Sequence, residues 1–422
     1  MNKLIHLITV SLLLTISFAT LAQSSTPKED HQFQNWLNDF KLQARQAGIS
    51  EETLTQAFKG IKPSPKVLDS DRKQPEFTRT FYQYFNSAVS KNRVEVGQKQ
   101  YQKLRPLLNE VSQKYGIPSQ ILISFWGMET NYGRFTGNLP IIQSLVTLAY
   151  DPRRTTFFSK QLMAALKIID QGHVQPSQMK GSWAGAMGQV QFMPTNYLQY
   201  AVDGDGDGKI NLWDSLPDAF HSAGHFLQTL GWNPEQSWGK EVSLPKGFDY
   251  SFADGKTKRT LQAWQALGVK ETNRQALHIN GSNLKATQTA KLLLPSDYRG
   301  PAFLVYDNFQ VIKRWNNSNN YALAVGHLSN RILGKPPLTK KQPKGDKGLS
   351  RDQMKQIQSL LNQLGYAAGK PDGIAGSKTR SALRAFQVAQ KIPADGAPSY
   401  RILQVLKKAF DKQNHTFVDE II

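Results

Sequence analysis

No cysteine occurs among the 422 residues. That absence excludes disulfides, so core packing must hold the fold, and it excludes a lipid anchor built on a cysteine thiol. Acidic residues are also scarce: 32 Asp+Glu stand against 52 Lys+Arg, a formal net charge of +20. A surplus of that size favours a polyanionic partner, whether nucleic acid, anionic lipid or a carboxylate-bearing cell-wall polymer, and by itself does not choose among them. Long apolar runs are limited to one stretch near residues 7–18, short for the roughly 30 Å of a bilayer core.

That stretch follows a positive start at Lys3 and precedes small residues ending at Ala22. The layout is that of a secretory signal cut after Ala22. The expected compartment is therefore the periplasm, with the mature chain soluble rather than lipid-anchored. Export also removes nucleic acid as a partner.

Residues 30–115 space apolar positions three and four apart in "FQNWLNDFKLQARQAGI" and "QKQYQKLRPLLNEVSQKYGI", a helical period. Helix continues to about Trp232. Between "WGKEVSLPKGFDYSF" and "AFLVYDNFQVIKRW" short alternating runs broken by Gly and Pro suggest small strands. Helix returns in "NYALAVGHLSNRIL", and "GKPPLTKKQPKGDKG", 334–348, reads as a linker. Residues 349–409 hold three amphipathic helical patterns around "GKPDGIAG" and "PADGAP".

Between Val111 and Tyr150 the single acid is Glu129, in "ILISFWGMETNYGRF". Pro118 and Gly133 bracket a helix that places Glu129 in its last turn, with Phe125, Trp126 and Tyr132 spaced to share its face. A carboxyl desolvated by rings keeps its proton near neutral pH and can donate it. An exposed Glu on an outer helix face is the plainer alternative. Downstream, "GSWAGAMGQVQFMP" combines small residues, which let backbones close on a groove, with the uncharged hydrogen-bonding groups of Ser182, Gln189 and Gln191.

"GMETNYGRFTG", "DPRRTTFF", "GSWAGAMGQVQFMPTNYLQYAVDGDGDGKINLWDSLPDA" and "RWNNSNNYALAVGHL" together resemble the lytic murein transglycosylase B family, glycoside hydrolase family 103, over roughly residues 30–333. "LNQLGY", "DGIAGSKTRSALRAFQ" and "IPADG" are similar to the three-helix peptidoglycan-binding domain. The resemblance implies a mainly α (α+β) chain. Its parts would be a lysozyme-like helical core, a small β region, an EF-hand-like loop and a C-terminal three-helix domain, divided as 1–22 signal, 30–333 catalytic, 334–348 linker and 349–409 wall-binding.

Most glycosidases need two carboxylates; by this resemblance the chain needs one. Glu129 would protonate the oxygen linking N-acetylmuramic acid to N-acetylglucosamine, then deprotonate the sugar's own C6 hydroxyl, leaving a 1,6-anhydro end. Arg153 and Arg154 would face glycan or peptide, where guanidinium suits carboxylates. Ser182, Gln191, Asn316 and Tyr321 would line the cleft, with Trp315 where some members carry Tyr. The chemistry needs no cofactor. The implied partner is the glycan strand of peptidoglycan, alongside cell-wall assembly proteins, and the implied state is a monomer.

"DGDGDGKINLWDSLPD" sets Asp203, Asp205 and Asp207 at positions one, three and five of an EF-hand loop, Gly208 at the turn and Lys209 at the carbonyl position. Position twelve is Asp214 rather than Glu; by family resemblance Asp218 closes a longer loop better. Three acids at this spacing repel without a cation, so a structural Ca²⁺ is expected. An Asp-Gly-rich turn is the alternative.

Three rival functions remain distinguishable. A hydrolysing muramidase would need a second acid, Asp151 or Asp170 being nearest in sequence; a non-catalytic wall binder would not need Glu129; a nucleic-acid binder would stay in the cytoplasm.

Overall fold

The computed structural model describes residues 27–72, 79–277 and 287–419; the expected signal segment lies outside them. The described residues fall into two compact units, divided after Gly48. In the first, helix Pro27–Gln46 sets Phe33, Leu37, Phe40 and Ala44 on one stripe. Trp36 stacks against Phe33 and Phe40, with centroids 6.0 and 5.6 Å away.

The second unit is built around helix Ser119–Thr130. Its sequence is apolar on every side, and nine of its residues are buried, as befits a helix with no solvent face. Helices Lys91–Lys103, Arg105–Tyr115, Leu216–Thr229 and Asn319–Ile332 surround it. "QKQYQKLRPLLNEVSQKYGI" is thus two helices rather than one. Pro106, lacking an N–H, starts a new first turn, and Gly116 ends it at φ 71°.

Helix Ser119–Thr130 stops abruptly. Asn131 and Tyr132 both take left-handed backbone, φ 51° and 61°, a conformation costing about 1–3 kcal/mol for residues with a Cβ. Arg93 offsets it: its Nε donates to Asn131 Oδ1 at 3.3 Å and its carbonyl accepts the Tyr132 hydroxyl at 2.9 Å. The Tyr132 ring folds back over Gly127, where a Cβ would lie 2.6 Å from it.

Two sheets follow. A short pair joins β1 (Leu139–Pro140) to β2 (Lys180–Gly181). The larger sheet is antiparallel, with β3 (Gly239–Ser243), β4 (Lys258–Thr260), β5 (Lys270–Glu271), β6 (Thr289–Leu293) and β7 (Ala302–Val305) ordered β4-β6-β7-β3-β5. Its core centres on buried Trp264, whose indole donates to Ala290 O at 3.0 Å. The small strands expected here are present, with one correction. "DNFQVIKRW" is helix Asp307–Trp315, not strand: Asp307 sits in its first turn and Lys313 and Arg314 in its last, each favourable to the helix dipole.

Helices Arg351–Gln363, Ser377–Ala389 and Tyr400–Asp419 close over Ile357, Leu361, Leu383, Phe386, Leu403 and Leu406. The segment before them is pinned rather than free. Thr339 N–H donates to Glu241 Oε2 at 3.0 Å, and the Tyr82 hydroxyl donates to Lys341 O at 3.0 Å. The three helices also dock on the sheet region. Tyr298 N–H donates to Asp395 Oδ2 at 2.8 Å, Arg401 donates to the Tyr298 hydroxyl at 2.7 Å and Arg384 to Ala253 O at 3.0 Å.

Candidate active site

Glu129 lies in the last turn of its helix, as the sequence pattern requires. Its carboxyl accepts a short hydrogen bond from the Tyr321 hydroxyl, and the Trp315 indole is a second donor group that favours its charged form. Both donors come from a segment nearly 200 residues on. The rings that close around it are Phe125 and Trp315, 4.4 Å between centroids, with Tyr321 6.2 Å from Phe125. Phe192 and Phe226 back Trp315 at 5.4 and 5.2 Å. Burial pushes the carboxyl up to about 7 against the pull of the two donors. Burial first, then the neighbouring Glu129 charge, also raises Tyr321. The group is therefore poised to hold a proton near neutral pH and to give it up.

Trp126 and Tyr132 play a different part from the one their spacing suggests. Trp126 packs edge-on against Tyr132 and Phe220, and its indole donates to Gln189 Oε1 at 2.8 Å. The indole near Glu129 is Trp315, which stands where a stacking ring was expected and whose N–H favours the charged acid.

The small-residue segment does bring backbones together. Gly137 (φ 88°) faces Gly181 so closely that a Cβ would lie 2.2 Å from its carbonyl. Ser182 Oγ, partly exposed, accepts from Ala186 N at 3.0 Å. Gln191 takes left-handed backbone, φ 51°, and its amide nitrogen donates to Thr136 O at 2.9 Å and Gly188 O at 3.0 Å. Thr136 lies just past the helix carrying Glu129, so this pair of bonds fixes the Gln191 side chain beside that turn. Asn316 is exposed in the connection between Asp307–Trp315 and Asn319–Ile332.

Arg153 and Arg154 converge on buried Asp71. Arg153 forms a short ion pair with Asp71 Oδ2, and Arg154 Nη1 stands 3.8 Å from Oδ1. The Arg154 guanidinium also covers Phe158, 4.7 Å from its centroid. About half of each arginine side chain remains exposed. No nearby sequence signal marks Asp71 as their partner; 82 residues separate it from Arg153. The two rival acids are engaged by other partners. Asp170 Oδ1 accepts from Ser50 Oγ and Thr53 Oγ1, and Asp151 pairs with Arg153 and Arg72.

In the acidic loop, Asp203, Asp205 and Asp218 bring carboxylate oxygens within 4.8 Å of one another. Asp218 is buried and its carboxyl raised by that burial, although Asn211 and Gly204 N–H donate to it at 2.6 and 2.7 Å. Hard oxygen donors crowded together with one of them desolvated fit a Ca²⁺ ion. Asp207 and Asp214 fall outside this trio. Asp207 accepts from Lys209 N at 2.8 Å, and Asp214 meets the Asn211 amide at 3.5 Å. Asp218, rather than Asp214, is the later acid that stands with Asp203 and Asp205.

Known proteins resemble this chain in sequence and in fold. Residues 32–330 match the family described as "Transglycosylase SLT domain", and 350–406 match "Putative peptidoglycan binding domain". The membrane-bound lytic murein transglycosylase B of Escherichia coli K12 is 34% identical over 255 residues, 59% of this chain and 66% of that protein. The chain thus spans just under two thirds of that relative. SltB3 of Pseudomonas aeruginosa, solved in complex with NAG-anhNAM-pentapeptide, superposes with a TM-score of 0.85 at 44% identity, covering 89% of this chain and 99% of that one. The lytic transglycosylase Slt35 of E. coli, solved in complex with calcium, gives a TM-score of 0.58 at 29% identity over 71% of this chain and 92% of that one. By the match over residues 32–330 the chain belongs to the transglycosylase SLT domain family, alongside the lytic murein transglycosylases.

Proposed function

We propose that this protein cleaves the β-1,4 bond between N-acetylmuramic acid and N-acetylglucosamine in peptidoglycan without water, Glu129 acting first as acid and then as base. Protonated Glu129 gives its proton to the glycosidic oxygen, and the C1–O bond breaks to release the N-acetylglucosamine 4-hydroxyl. The muramic C6 hydroxyl attacks C1 and returns a proton to the Glu129 carboxylate. A 1,6-anhydro end forms and the enzyme is restored. The observation that carries this reading is one carboxyl, raised to about 7, with Asp151 and Asp170 held by other partners. The relative crystallised with an anhydro-sugar peptide supports it.

Tyr321 and Trp315 hold the carboxylate between the two proton transfers. Ser182, Gln191 and Asn316 present polar groups to hydroxyl and acetamido functions of the glycan. Arg153 and Arg154, steadied by Asp71, offer their exposed guanidinium edges to stem-peptide or lactyl carboxylates. Asp203, Asp205 and Asp218 would hold Ca²⁺, which supplies charge balance to the loop and takes no part in proton transfer. Residues 349–409 form a wall-binding unit, joined through 334–348 to a catalytic region spanning 30–333. The unit raises the local concentration of enzyme on an insoluble polymer. No described helix is long and apolar enough to cross a membrane. The basic charge and the leader-like first 22 residues support action in the periplasm. Product masses after digestion of purified peptidoglycan test the whole reading. Anhydro ends, lighter by one water than reducing ends, are expected; reducing ends would show a hydrolase.

A further inference from the structure

Four hydrogen bonds meet on one residue that the reaction itself does not use. Gln189 Oε1 accepts from Trp126 Nε1 at 2.8 Å, and its carbonyl accepts from Thr130 Oγ1 at 2.9 Å. Trp126 and Thr130 are the residues three before and one after Glu129. On its other side Gln189 Nε2 donates to Trp213 O at 2.8 Å, and its backbone N–H donates to Leu212 O at 2.7 Å. Leu212 and Trp213 belong to the acidic loop. That loop continues inward through Asn211, whose N–H donates to Asp218 and whose Oδ1 caps Trp213 N at 3.1 Å.

Two glycines make the seam possible. A Cβ on Gly133 would lie 2.6 Å from Gln189 Oε1, and one on Gly188 would lie 2.4 Å from Leu212 O. Gly133 N–H also donates to Thr130 Oγ1 at 3.0 Å, so the left-handed turn behind the acid hangs on the same contacts. All four Gln189 bonds are well within ordinary hydrogen-bond length.

We propose that Gln189 is a positioning residue for Glu129, tying the last turn of the catalytic helix to the acidic loop 203–218 so that the loop's conformation sets where the carboxyl stands. The inference rests on Glu129 as the acid. Each polar group of Gln189 is already engaged by protein, so the residue serves as a tie between segments and not as a contact to sugar. Its effect belongs on kcat rather than on KM. A carboxyl displaced by a fraction of an ångström misses the glycosidic oxygen while the glycan still binds.

A double-mutant cycle tests the coupling in the full chain. Gln189→Leu cuts both side-chain bonds, and Asp218→Asn loosens the loop's inner anchor. Each single variant should lower kcat on soluble glycan fragments about tenfold with KM unchanged. The double variant should also lose about tenfold, because both act through one seam. A hundredfold loss in the double variant would mean the sites are independent and overturn the proposal. So would a rise in KM at unchanged kcat for Gln189→Leu, since Gln189 would then be touching substrate. Hydrogen exchange across 126–133 gives a readout free of activity. It should quicken in Gln189→Leu, and less in Gln189→Glu, which keeps the acceptor for Trp126; unchanged exchange in Gln189→Leu refutes the seam. Wild-type turnover by a Glu129→Gln protein would instead overturn the acid assignment, leaving the exchange result to judge the seam alone.

Discussion

Replacing Glu129 by Gln should abolish lysis and, above neutral pH, make the protein more stable. Folding lifts this carboxyl from 4.5 to about 7, chiefly through burial. At about 1.4 kcal/mol per pH unit, ionising it inside the folded protein costs about 3 kcal/mol. The sign follows from which state holds the proton more tightly. Below pH 4.5 both folded and unfolded chains are protonated and nothing is lost. Between 4.5 and about 7 the unfolded chain releases its proton first, so stability drains away. Above 7 the folded protein carries the charge at full cost. Glutamine has nearly the same shape and no charge, and it can still accept the Tyr321 hydroxyl. The gap in unfolding free energy between variant and wild type should therefore widen by about 3 kcal/mol from pH 4.5 to pH 8. Urea denaturation of both proteins at the two pH values measures it. A gap that stays flat, or a wild type more stable than the variant at pH 8, would refute the claim that burial holds the acid neutral.

Tyr321→Phe removes a hydrogen bond to the carboxylate, a bond of about 1.5–3 kcal/mol to a charged group. The alkaline limb of kcat/KM, which marks loss of the Glu129 proton, should then move up by about one to two pH units; a downward move contradicts the arrangement. Calcium at about a hundred times its dissociation constant should stabilise the wild type by about 2–3 kcal/mol, and Asp218→Asn should lose most of that in a thermal-shift titration. Removing residues 335–422 should weaken sedimentation with sacculi while cleavage of short soluble glycans persists. An equal loss of both activities would mean that the contacts Tyr298 makes with Asp395 and Arg401 hold the catalytic region in shape.

Local patterns revealed the helices and singled out Glu129, because a 3.6-residue period and a lone Glu among rings are both written in adjacent residues. The surroundings of that acid were only half legible. Phe125 lies on the same turn, but Trp315 and Tyr321 reach it from a segment that only the tertiary fold brings near; their place came from family resemblance, not from spacing. The assignment of Trp126 to the carboxyl failed for a similar reason. Its spacing allowed either face, and the choice was made by Gln189 on another element. Asp71, partner to two arginines, carries no mark in its own neighbourhood. The strand reading of "DNFQVIKRW" erred because the two-residue step from Phe309 to Val311 imitates a strand, whereas Phe309 and Ile312, three apart, share the buried face of a helix. The end charges, Asp307 against Lys313 and Arg314, were the better guide.

Tyr132 rests on two bare Cα positions, Gly127 in its own helix and Gly97 in the neighbouring one, where an added Cβ would fall 2.2 Å from the tyrosine oxygen. Neither glycine needs to meet a sugar. Yet a methyl group at either would lever the ring outward and unlatch the bend on which the Glu129 helix ends. A mutational scan should accordingly find two intolerant sites behind the end of the Glu129 helix, detectable by function and invisible to any map of substrate contacts.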